Sequence, residues 1–323
     1  MNRRTRRTLL IVAAILALLG VTVFLRSKAP PEAARLLPES DGIVYINLKA
    51  IRTIFHKEIK PPNRVPEYQQ FIDAIGIDPE RDLDQVAIGL HRMNDPNGPN
   101  GPVAYSMVLV GKITGKRLNA WLDAHAASRE TYVGHTIYSI PSEGRTVRVA
   151  QIGYDMVAVS NAPTTEQIHS ILDRHRAAAL PFSGSSLLQR HYHDVPLLSF
   201  AWGVGQIGLP FSESGSIHVF GLALPLQSDS TIIASVSPAL PVPGALAALR
   251  FRVEDIAPSV DKAAGEAAGL ATLVTLASGL AQPLANTTAN NAFKELLKTA
   301  EVSQHGERVV VTATLPASAL THL

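Results

Sequence analysis

The sequence predicts an α+β fold, in which an N-terminal transmembrane helix precedes two related modules of antiparallel sheet with packed helices. Three observations predict it. An uncharged apolar run extends from Thr8 to Leu25. Short apolar runs separated by turn residues follow it, which is typical of antiparallel strands. Strands then come in succession before a helix in both halves of the chain, which favours an α+β layer over a doubly wound parallel sheet.

The first predicted element is the membrane helix. The run from Thr8 to Leu25 contains 18 residues. At roughly 1.5 Å per residue it spans about 27 Å, close to the ~30 Å of a bilayer's hydrocarbon core. Four arginines precede the run, and Arg26 and Lys28 follow it. Because basic residues concentrate on the cytoplasmic side, this asymmetry predicts a cytoplasmic N-terminus and an exported C-terminal part.

Two alternatives stay open for this segment. A charged stretch before an apolar run also begins a removable signal peptide. The nearest small-x-small site, Ser27–Ala29, is followed by proline, and this context favours an uncleaved anchor. The stretch Thr5–Leu10 also resembles a twin-arginine export signal. Arginine clusters are in addition common topology determinants, so the sequence does not decide the export route.

Composition indicates that the exported part is globular. The chain is 46% hydrophobic and 17% charged, which argues against extended disorder. The first 26 residues contain five arginines and no acid, so the remainder has 24 basic and 27 acidic residues, a net charge of −3. That balance gives no electrostatic basis for binding nucleic acid or anionic lipid. The absence of cysteine excludes a lipobox, a thiol nucleophile, thiolate zinc ligands and disulfides.

We expect four segments along the chain. They are a basic tip with the anchor at 1–26, an alanine- and proline-rich linker at 27–40, a first α+β module at 41–180 and a second at 181–323. In the first module, hydrophobic periodicity predicts strands at 43–48, 85–91, 103–113, 136–140, 146–152 and 156–160. It predicts helices at 49–57, 116–126 and 164–176.

The second module repeats the theme of the first. Strands are predicted at 195–202, 245–253 and 308–315, a hairpin at 216–224 with 231–236, and helices at 257–284 and 290–299. In both modules a strand leads into a helix. Val103–Ile113 precedes Lys116–Ala126, and Leu246–Val253 precedes Ala257–Leu284. This parallel is the basis for expecting two related modules.

The long C-terminal helix contains no charge from Ala267 to Ala281. About 15 residues are too few to cross a bilayer, and neither basic nor aromatic residues flank them. Most of these residues are small. We therefore expect a buried helix packed closely against the sheet rather than a second membrane span.

A glycine motif follows one of the predicted strands. Gly203, Gly205 and Gly208 form a GxGxxG pattern. A dinucleotide site needs a helix that begins at the third glycine and an acidic residue about 20 positions later. The sequence after Gly208 favours neither feature, so we expect a glycine turn without a cofactor.

Two further motifs also lack the context that chemistry needs. The carboxylates between Gly76 and Asp84 do not match the spacing of a calcium loop, and a solvated turn is expected there. Ser259 and Lys262 match the serine-x-x-lysine of penicillin-interacting enzymes, but the companion motifs are absent. We expect Ser259 to be a helix N-cap.

His191 and His193 stand one residue apart, a spacing that occurs in metal sites. A catalytic zinc needs three protein ligands, and His169 and His175 lie on a separate predicted helix. We expect surface histidines at the end of a short helix. The sequence thus predicts no catalytic, cofactor-binding or metal-binding residue.

Several segments have a pattern in common with known proteins: the anchored N-terminus, Leu37–Asp41 before a Val-Tyr-Ile-Asn-Leu strand, Gly76–Pro79 followed by Leu83-Asp84, Leu109–Lys112 before a helix, and the closing Val309–Pro316. Together they resemble a family of uncharacterised bacterial membrane-anchored envelope proteins, a domain of unknown function. The resemblance extends over most of the exported part, and its motifs are structural. It implies a single-pass protein of the bacterial inner membrane with a periplasmic or otherwise extracytoplasmic C-terminal domain.

The sequence leads to one function hypothesis and one alternative. We expect a non-catalytic binding or structural envelope module without a cofactor. Its partners would be the membrane, through residues 8–25, and another protein or a cell-wall component, and not nucleic acid. The alternative is a periplasmic hydrolase with a site near His191 and His193. Histidines that converge on a carboxylate in a cleft would favour that alternative.

Overall fold

The computed structural model of the chain describes residues 29–55, 64–113, 115–177, 184–206, 218–219, 222–223, 226, 230–239, 248–283, 285, 287–316 and 319. The predicted membrane helix at residues 8–25 lies outside the described residues. Gly208 and the expected boundary between the modules, at residues 180 and 181, also lie outside them.

The described residues form strands and helices in nearly equal measure. The strands are β1 (Gly42–Asn47), β2 (Leu83–Arg92), β3 (Val103–Gly111), β4 (Ser128–Tyr132), β5 (His135–Ser142), β6 (Arg145–Ile152), β7 (Met156–Ser160), β8 (Ala201–Gln206), β9 (His218–Val219), β10 (Leu222–Ala223), β11 (Thr231–Ala239), β12 (Ala248–Ile256), β13 (Glu301–His305) and β14 (Arg308–Pro316). The α-helices are α1 (Glu32–Leu36), α2 (Leu48–Phe55), α3 (Pro66–Ile75), α4 (Pro79–Asp82), α5 (Lys116–His125), α6 (Glu166–Arg176), α7 (Ser186–His191), α8 (Val260–Ala281) and α9 (Thr288–Lys298). A 3-10 turn at Tyr192–Asp194 follows α7.

Twelve of the described strands form one antiparallel sheet. Their order is β13-β14-β12-β11-β8-β1-β2-β3-β7-β6-β5-β4, and β9 and β10 form a separate two-stranded sheet. The predicted α+β class with antiparallel strands is confirmed. The sheet continues across the middle of the chain, because β1 pairs with β2 on one side and with β8 on the other.

Tight turns fix the register at the β4 end of the sheet. Val133 and Gly134 join β4 to β5, and Glu143 and Gly144 join β5 to β6, all with positive φ between 43° and 85°. Positive φ at both central residues is the geometry of a type I′ turn, whose twist matches that of paired strands. These turns set the pairing of β4 with β5 and of β5 with β6.

Helices cover both faces of the sheet. On the first face, α1, α6 and α7 pack over a buried cluster that includes Ile43, Ala87, Val108, Ala158 and Trp202. On the second face, α3 and α5 pack over β2, β3, β6 and β7, while α2 and α9 pack over β8, β12 and β14. The sheet is therefore the middle layer between two helical layers, as expected when both of its faces are apolar.

The expected linker at 27–40 is wrong from Glu32 onward. Residues 32–36 form α1, and Ala33, Ala34, Leu36 and Leu37 are at most 1% exposed. Alanine and proline are typical of a tether, but here the small alanine side chains let α1 pack closely on β2 and β3. This segment belongs to the core.

Predictions around β8 also need correction. The strand expected at 195–202 begins only at Ala201 and continues to Gln206. Gly203 and Gly205 therefore lie inside a central strand and not in a turn. The expected hairpin of 216–224 with 231–236 is wrong as well, because β9 pairs with β10 while β11 lies between β8 and β12.

The expectation that the long C-terminal helix is buried is wrong. Ala263 and Leu270 of α8 pack against Val309 of β14, but Leu276 and Leu280 are 47% and 59% exposed. Only 17% of the most apolar 18-residue window of α8 is buried. By length and composition, α8 is the one helix among the described residues that is long and apolar enough to cross a membrane.

Candidate functional site

The two histidines singled out from the sequence lie where α7 ends. Ser185 caps this helix by accepting a hydrogen bond from the amide of Leu188, whose side chain is fully buried. The chain then enters the 3-10 turn that ends at Asp194. His191 Nδ1 lies 3.8 Å from Asp194 Oδ2, and His193 Nε2 lies 3.3 Å from Asp194 Oδ1. The fold therefore brings both histidines to one carboxylate, which sequence spacing had not indicated.

That carboxylate is part of an ion-pair chain that continues onto the sheet. Arg308 Nη1 lies 2.9 Å from Asp194 Oδ1 and also pairs with Glu254. Arg252 Nη2 lies 2.6 Å from Glu254 Oε2. The side chains of Asp194 and Glu254 are 10% and 3% exposed. Because a buried charge needs a close partner, this chain of alternating charges ties the 3-10 turn to β12 and β14.

The chemistry available to the two histidines is limited. His193 is 70% exposed, whereas the side chain of His191 is 19% exposed. Burial lowers the pKa of His191, against the opposing effect of Asp194. In the described part of the chain neither histidine forms a hydrogen bond with a serine or threonine hydroxyl, the contact that activates a nucleophile. The expectation of surface histidines is therefore correct for His193 and wrong for His191.

No metal centre is evident in the described residues, which contain no group of three or more His, Asp or Glu side chains arranged to hold an ion. The carboxylates after Gly76 have other partners. Asp78 caps α4 by accepting from the amide of Glu80 and also accepts from Arg64, while Asp82 accepts from the amide of Asp78. These hydrogen bonds order the turn and hold Arg64 against it.

A buried polar chain crosses three neighbouring strands of the first face, and sequence reasoning missed it. His91 Nε2 lies 2.9 Å from Ser106 Oγ, which lies 3.3 Å from Ser160 Oγ. The three residues are 5%, 0% and 0% exposed. Burial lowers the pKa of His91. A serine and a histidine in contact suggest a catalytic pair, but both are enclosed in the core, so we assign the chain a structural role.

A shallow groove of about 550 Å³ runs along α6 and is lined by polar side chains, among them Glu166, His169 and Asp173. His169 stacks on Tyr132 of the edge strand β4, with ring centres 3.8 Å apart. Its Nε2 lies 2.8 Å from Glu130 Oε1. The Tyr132 hydroxyl donates to Asp173 at 3.0 Å. These contacts fix α6 to β4 and leave the groove open to solvent.

The surface of α8 differs from these polar clusters. Its exposed residues between Ala267 and Ala281 are uncharged: Ala268, Ala271, Thr272, Thr275, Leu276, Gly279 and Leu280. We call these seven residues the α8 face. Thr272 and Thr275 donate hydrogen bonds to the carbonyl oxygens four residues earlier, at 2.8 and 2.9 Å. The hydroxyls on this face are thus satisfied inside the helix, and the face can be covered by an apolar partner without leaving a donor unpaired.

Comparison with known proteins gives distant structural matches. No family model and no curated protein matches the chain. Crystal form III of TP0453 is 11% identical with a TM-score of 0.47, over 90% of this chain and 96% of that one. Crystal form IV of TP0453 is 11% identical with a TM-score of 0.44, over 89% of this chain and 94% of that one. Likeness at this level carries no argument about function.

Proposed function

We propose that this protein is a non-catalytic module of the bacterial envelope that works by binding a partner. In this proposal residues 8–25 anchor it in the inner membrane, its N-terminus is cytoplasmic, and the sheet domain lies outside the cytoplasm. Its binding surface is the α8 face.

The observation that carries the proposal is the exposure of α8. A helix that is apolar around most of its circumference is normally buried in a core or in a membrane. In α8 this surface includes Leu276 and Leu280, and both are close to half exposed or more. Contiguous exposed apolar surface marks interaction sites in soluble domains. Together with the satisfied hydroxyls of Thr272 and Thr275, this supports a surface that is covered when the protein acts.

The membrane anchor is supported by the sequence. The arginine-flanked run at Thr8–Leu25 has the length and charge asymmetry of a span with a cytoplasmic N-terminus. The core begins close to it, since Ala33 is fully buried. At about 3.3–3.6 Å per residue, the seven residues between Leu25 and Ala33 reach about 25 Å at most. The proposal therefore holds the sheet domain next to the bilayer.

The strand order supports the further idea of two related modules. β1, β2 and β3 lie side by side, a helix follows β3, and the chain returns through a meander whose last strand, β7, pairs with β3. β8, β11 and β12 also lie side by side, helices follow β12, and the chain returns through a hairpin whose last strand, β14, pairs with β12. The two leading strands, β1 and β8, pair antiparallel. This arrangement is what two copies of one module joined along their first strands would give.

A hydrolase near His191 and His193 is the second candidate. It is favoured by one observation, the approach of both imidazoles to Asp194. It is weakened by the pairing of that carboxylate with Arg308 and by the lack of a hydroxyl contact to either histidine among the described residues. We therefore rank binding above hydrolysis.

Affinity capture from crosslinked membranes separates the two candidates. Three full-length chains are compared: the natural sequence, Leu276→Glu with Leu280→Glu, and His191→Ala with His193→Ala. A binding module with the α8 face as its surface should lose its crosslinked species only in the glutamate variant. If the glutamate variant retains every crosslinked species, the α8 face is not the binding surface. A loss of hydrolysis products in the histidine variant would favour the enzyme instead.

A further inference from the structure

β13 is the last strand at one end of the described sheet, and its backbone geometry can be worked out from its turn. His305 pairs with Arg308 across the two-residue turn of Gly306 and Glu307. Residues that flank such a turn exchange both of their backbone hydrogen bonds, and the pattern alternates along the strand. The backbone groups of Glu301, Ser303 and His305 therefore point to β14. Those of residues 302 and 304 point to the open edge.

A symmetric pairing with the β13 of a second copy that uses all five residues of the strand is centred on Ser303. If two β13 strands run antiparallel about Ser303, residue 302 of each strand faces residue 304 of the other. The outward backbone groups of both then form four hydrogen bonds. Ser303 faces its own counterpart in a non-hydrogen-bonded pair, in which side chains approach most closely.

The side chains on this edge are complementary in the same register. Glu301 of each copy faces His305 of the other. The carboxylate of Glu301 can therefore accept a hydrogen bond that the imidazole of His305 donates. Both side chains are exposed, and neither forms a hydrogen bond or ion pair with another residue of the described chain. Side chains of this complementary kind, directly opposite each other, stabilise antiparallel strands.

The helix α8 lies over the same edge. α8 packs over β13 and β14, with Val302 of β13 among its contacts. Neighbouring strands are about 4.8 Å apart. The two-fold axis of the pair would lie half that spacing outside β13, and a helix centred between β13 and β14 lies half that spacing inside it. The helix is therefore about 4.8 Å from the two-fold axis. Two α8 helices would then be about 10 Å apart, the separation of packed helices. Pairing of the edges therefore brings the two helices together.

The other end of the sheet does not offer the same combination. On β4, Arg129 pairs with Asp123 at 2.9 Å, and its guanidinium lies over the ring of Tyr138. Tyr132 and Glu130 contact α6. The charged and aromatic side chains of β4 already have partners in the same chain, and no exposed apolar helix of the described fold lies over that edge.

We propose that the partner covering the α8 face is a second copy of this chain, joined through antiparallel pairing of β13 about Ser303 with the two α8 helices side by side. This inference rests on the proposed function and names its partner. It predicts a two-fold symmetric dimer in the membrane with one sheet continuous across both copies.

Single cysteines test the register, because the chain has no cysteine of its own. Full-length Ser303→Cys is oxidised in its membranes and run on a non-reducing gel. Pairing holds the two sulfurs together, so disulfide dimers should form at least about tenfold faster than with Tyr154→Cys, an 89% exposed control. Glu301→Cys alone and His305→Cys alone should form few dimers, whereas the two variants expressed together should crosslink.

The contrary outcomes are equally distinct. Ser303→Cys that crosslinks no faster than the Tyr154→Cys control overturns the pairing. Glu301→Cys alone that crosslinks as fast as Ser303→Cys overturns the register. A further chain, which combines Leu276→Glu and Leu280→Glu with Ser303→Cys, should lose the dimer while it still fractionates with membranes. Retention of crosslinking in that chain overturns the role of α8.

Two further results separate this inference from the proposed function. Release of the natural chain from membranes under mild washing would contradict the membrane anchor. It would not contradict the pairing of β13, which the crosslinking result decides. If a lipid-soluble quencher reaches a fluorophore at Leu280→Cys while Ser303→Cys fails to crosslink, the bilayer covers the α8 face. That pair of results overturns the second copy as the partner.

Discussion

The leucines of α8 allow a matched test of which side of this helix is buried. Leu270 is 8% exposed and packs in a cluster with Ala263 and Val309, whereas Leu280, on the same helix, is 59% exposed. Replacing each by alanine removes the same three carbon atoms, and leucine and alanine are both good helix formers. A large difference between the two variants therefore reports the difference in burial.

The expected difference is large. Three buried carbons at about 0.8 kcal/mol each give about 2.4 kcal/mol, and the cavity left behind adds to this. We expect Leu270→Ala to lower the free energy of unfolding by about 2–4 kcal/mol. We expect Leu280→Ala to change it by no more than about 0.5 kcal/mol, the usual range for surface positions.

Urea unfolding of the full-length chain in mild detergent measures both values, at concentrations where the natural chain is monomeric. Tryptophan fluorescence reports loss of the core, because Trp202 is 3% exposed and Trp121 is partly buried. Equal slopes against urea in the natural and variant chains would show that the same surface is exposed on unfolding. Equal losses for the two leucines would mean that α8 is buried on both sides, and the reasoning about its exposed face would be refuted.

Four other expectations concern the polar clusters and the topology. Arg308→Met leaves the buried carboxylate of Asp194 without its arginine and should lower the free energy of unfolding by about 2–4 kcal/mol. The control Arg250→Met, at an exposed position, should change it by no more than about 0.5 kcal/mol. Chemical denaturation of both variants measures the difference. The pKa of His91 is lowered in the folded chain, so the unfolded chain binds the proton at a higher pH than the folded chain does. The free energy of unfolding should therefore fall as the pH drops below about 6.5. Denaturation at several pH values should show a smaller fall in His91→Gln than in the natural chain. His193→Ala should leave the free energy of unfolding within about 0.5 kcal/mol of the natural value, and stoichiometric zinc in the natural chain that this variant loses would contradict it. A reporter fused after Leu323 should be active only outside the cytoplasm, and activity inside would contradict the predicted anchor topology.

Local patterns in the sequence were sufficient for much of the fold. Strands from β5 to β7 were predictable because each is a short run that contains β-branched or other apolar residues and is bounded by turn residues. The N-cap at Ser259 was also predictable, and its hydroxyl accepts a hydrogen bond from the amide of Lys262 at 3.4 Å. These features depend only on neighbours along the chain.

Burial of the alanine-rich segments was not predictable in the same way. Alanine is compatible with a tether, a core and an exposed helix, so composition alone did not separate α1 from α8. Ala33 is fully buried because β2 and β3 lie beneath α1, and Ala271 is exposed because no described element covers that side of α8. Which of these applies depends on contacts between residues far apart in sequence.

The ionic and polar clusters show the same limit more sharply. Asp194 and Arg308 are 114 positions apart, and they meet because α7 packs on the first face of the sheet while β14 pairs with β12. His91 and Ser106 meet through the register of β2 with β3. Neither pair has a motif or spacing by which the sequence alone could identify it.

The accessibility of Leu280 in membranes tests the central claim, that the α8 face is a covered binding surface, most directly. Full-length chains that carry Leu280→Cys, or Tyr154→Cys as an exposed control, are labelled with a membrane-impermeant maleimide. The first labelling uses intact membranes with the sheet domain on the side that the reagent reaches. The second uses the same protein after solubilisation and dilution. We predict that the control reacts quickly in both conditions, while Leu280→Cys reacts slowly in membranes and quickly after dilution separates it from its partner. Labelling of Leu280→Cys in membranes as fast as the control would mean that the face is uncovered where the protein works, and would contradict the claim.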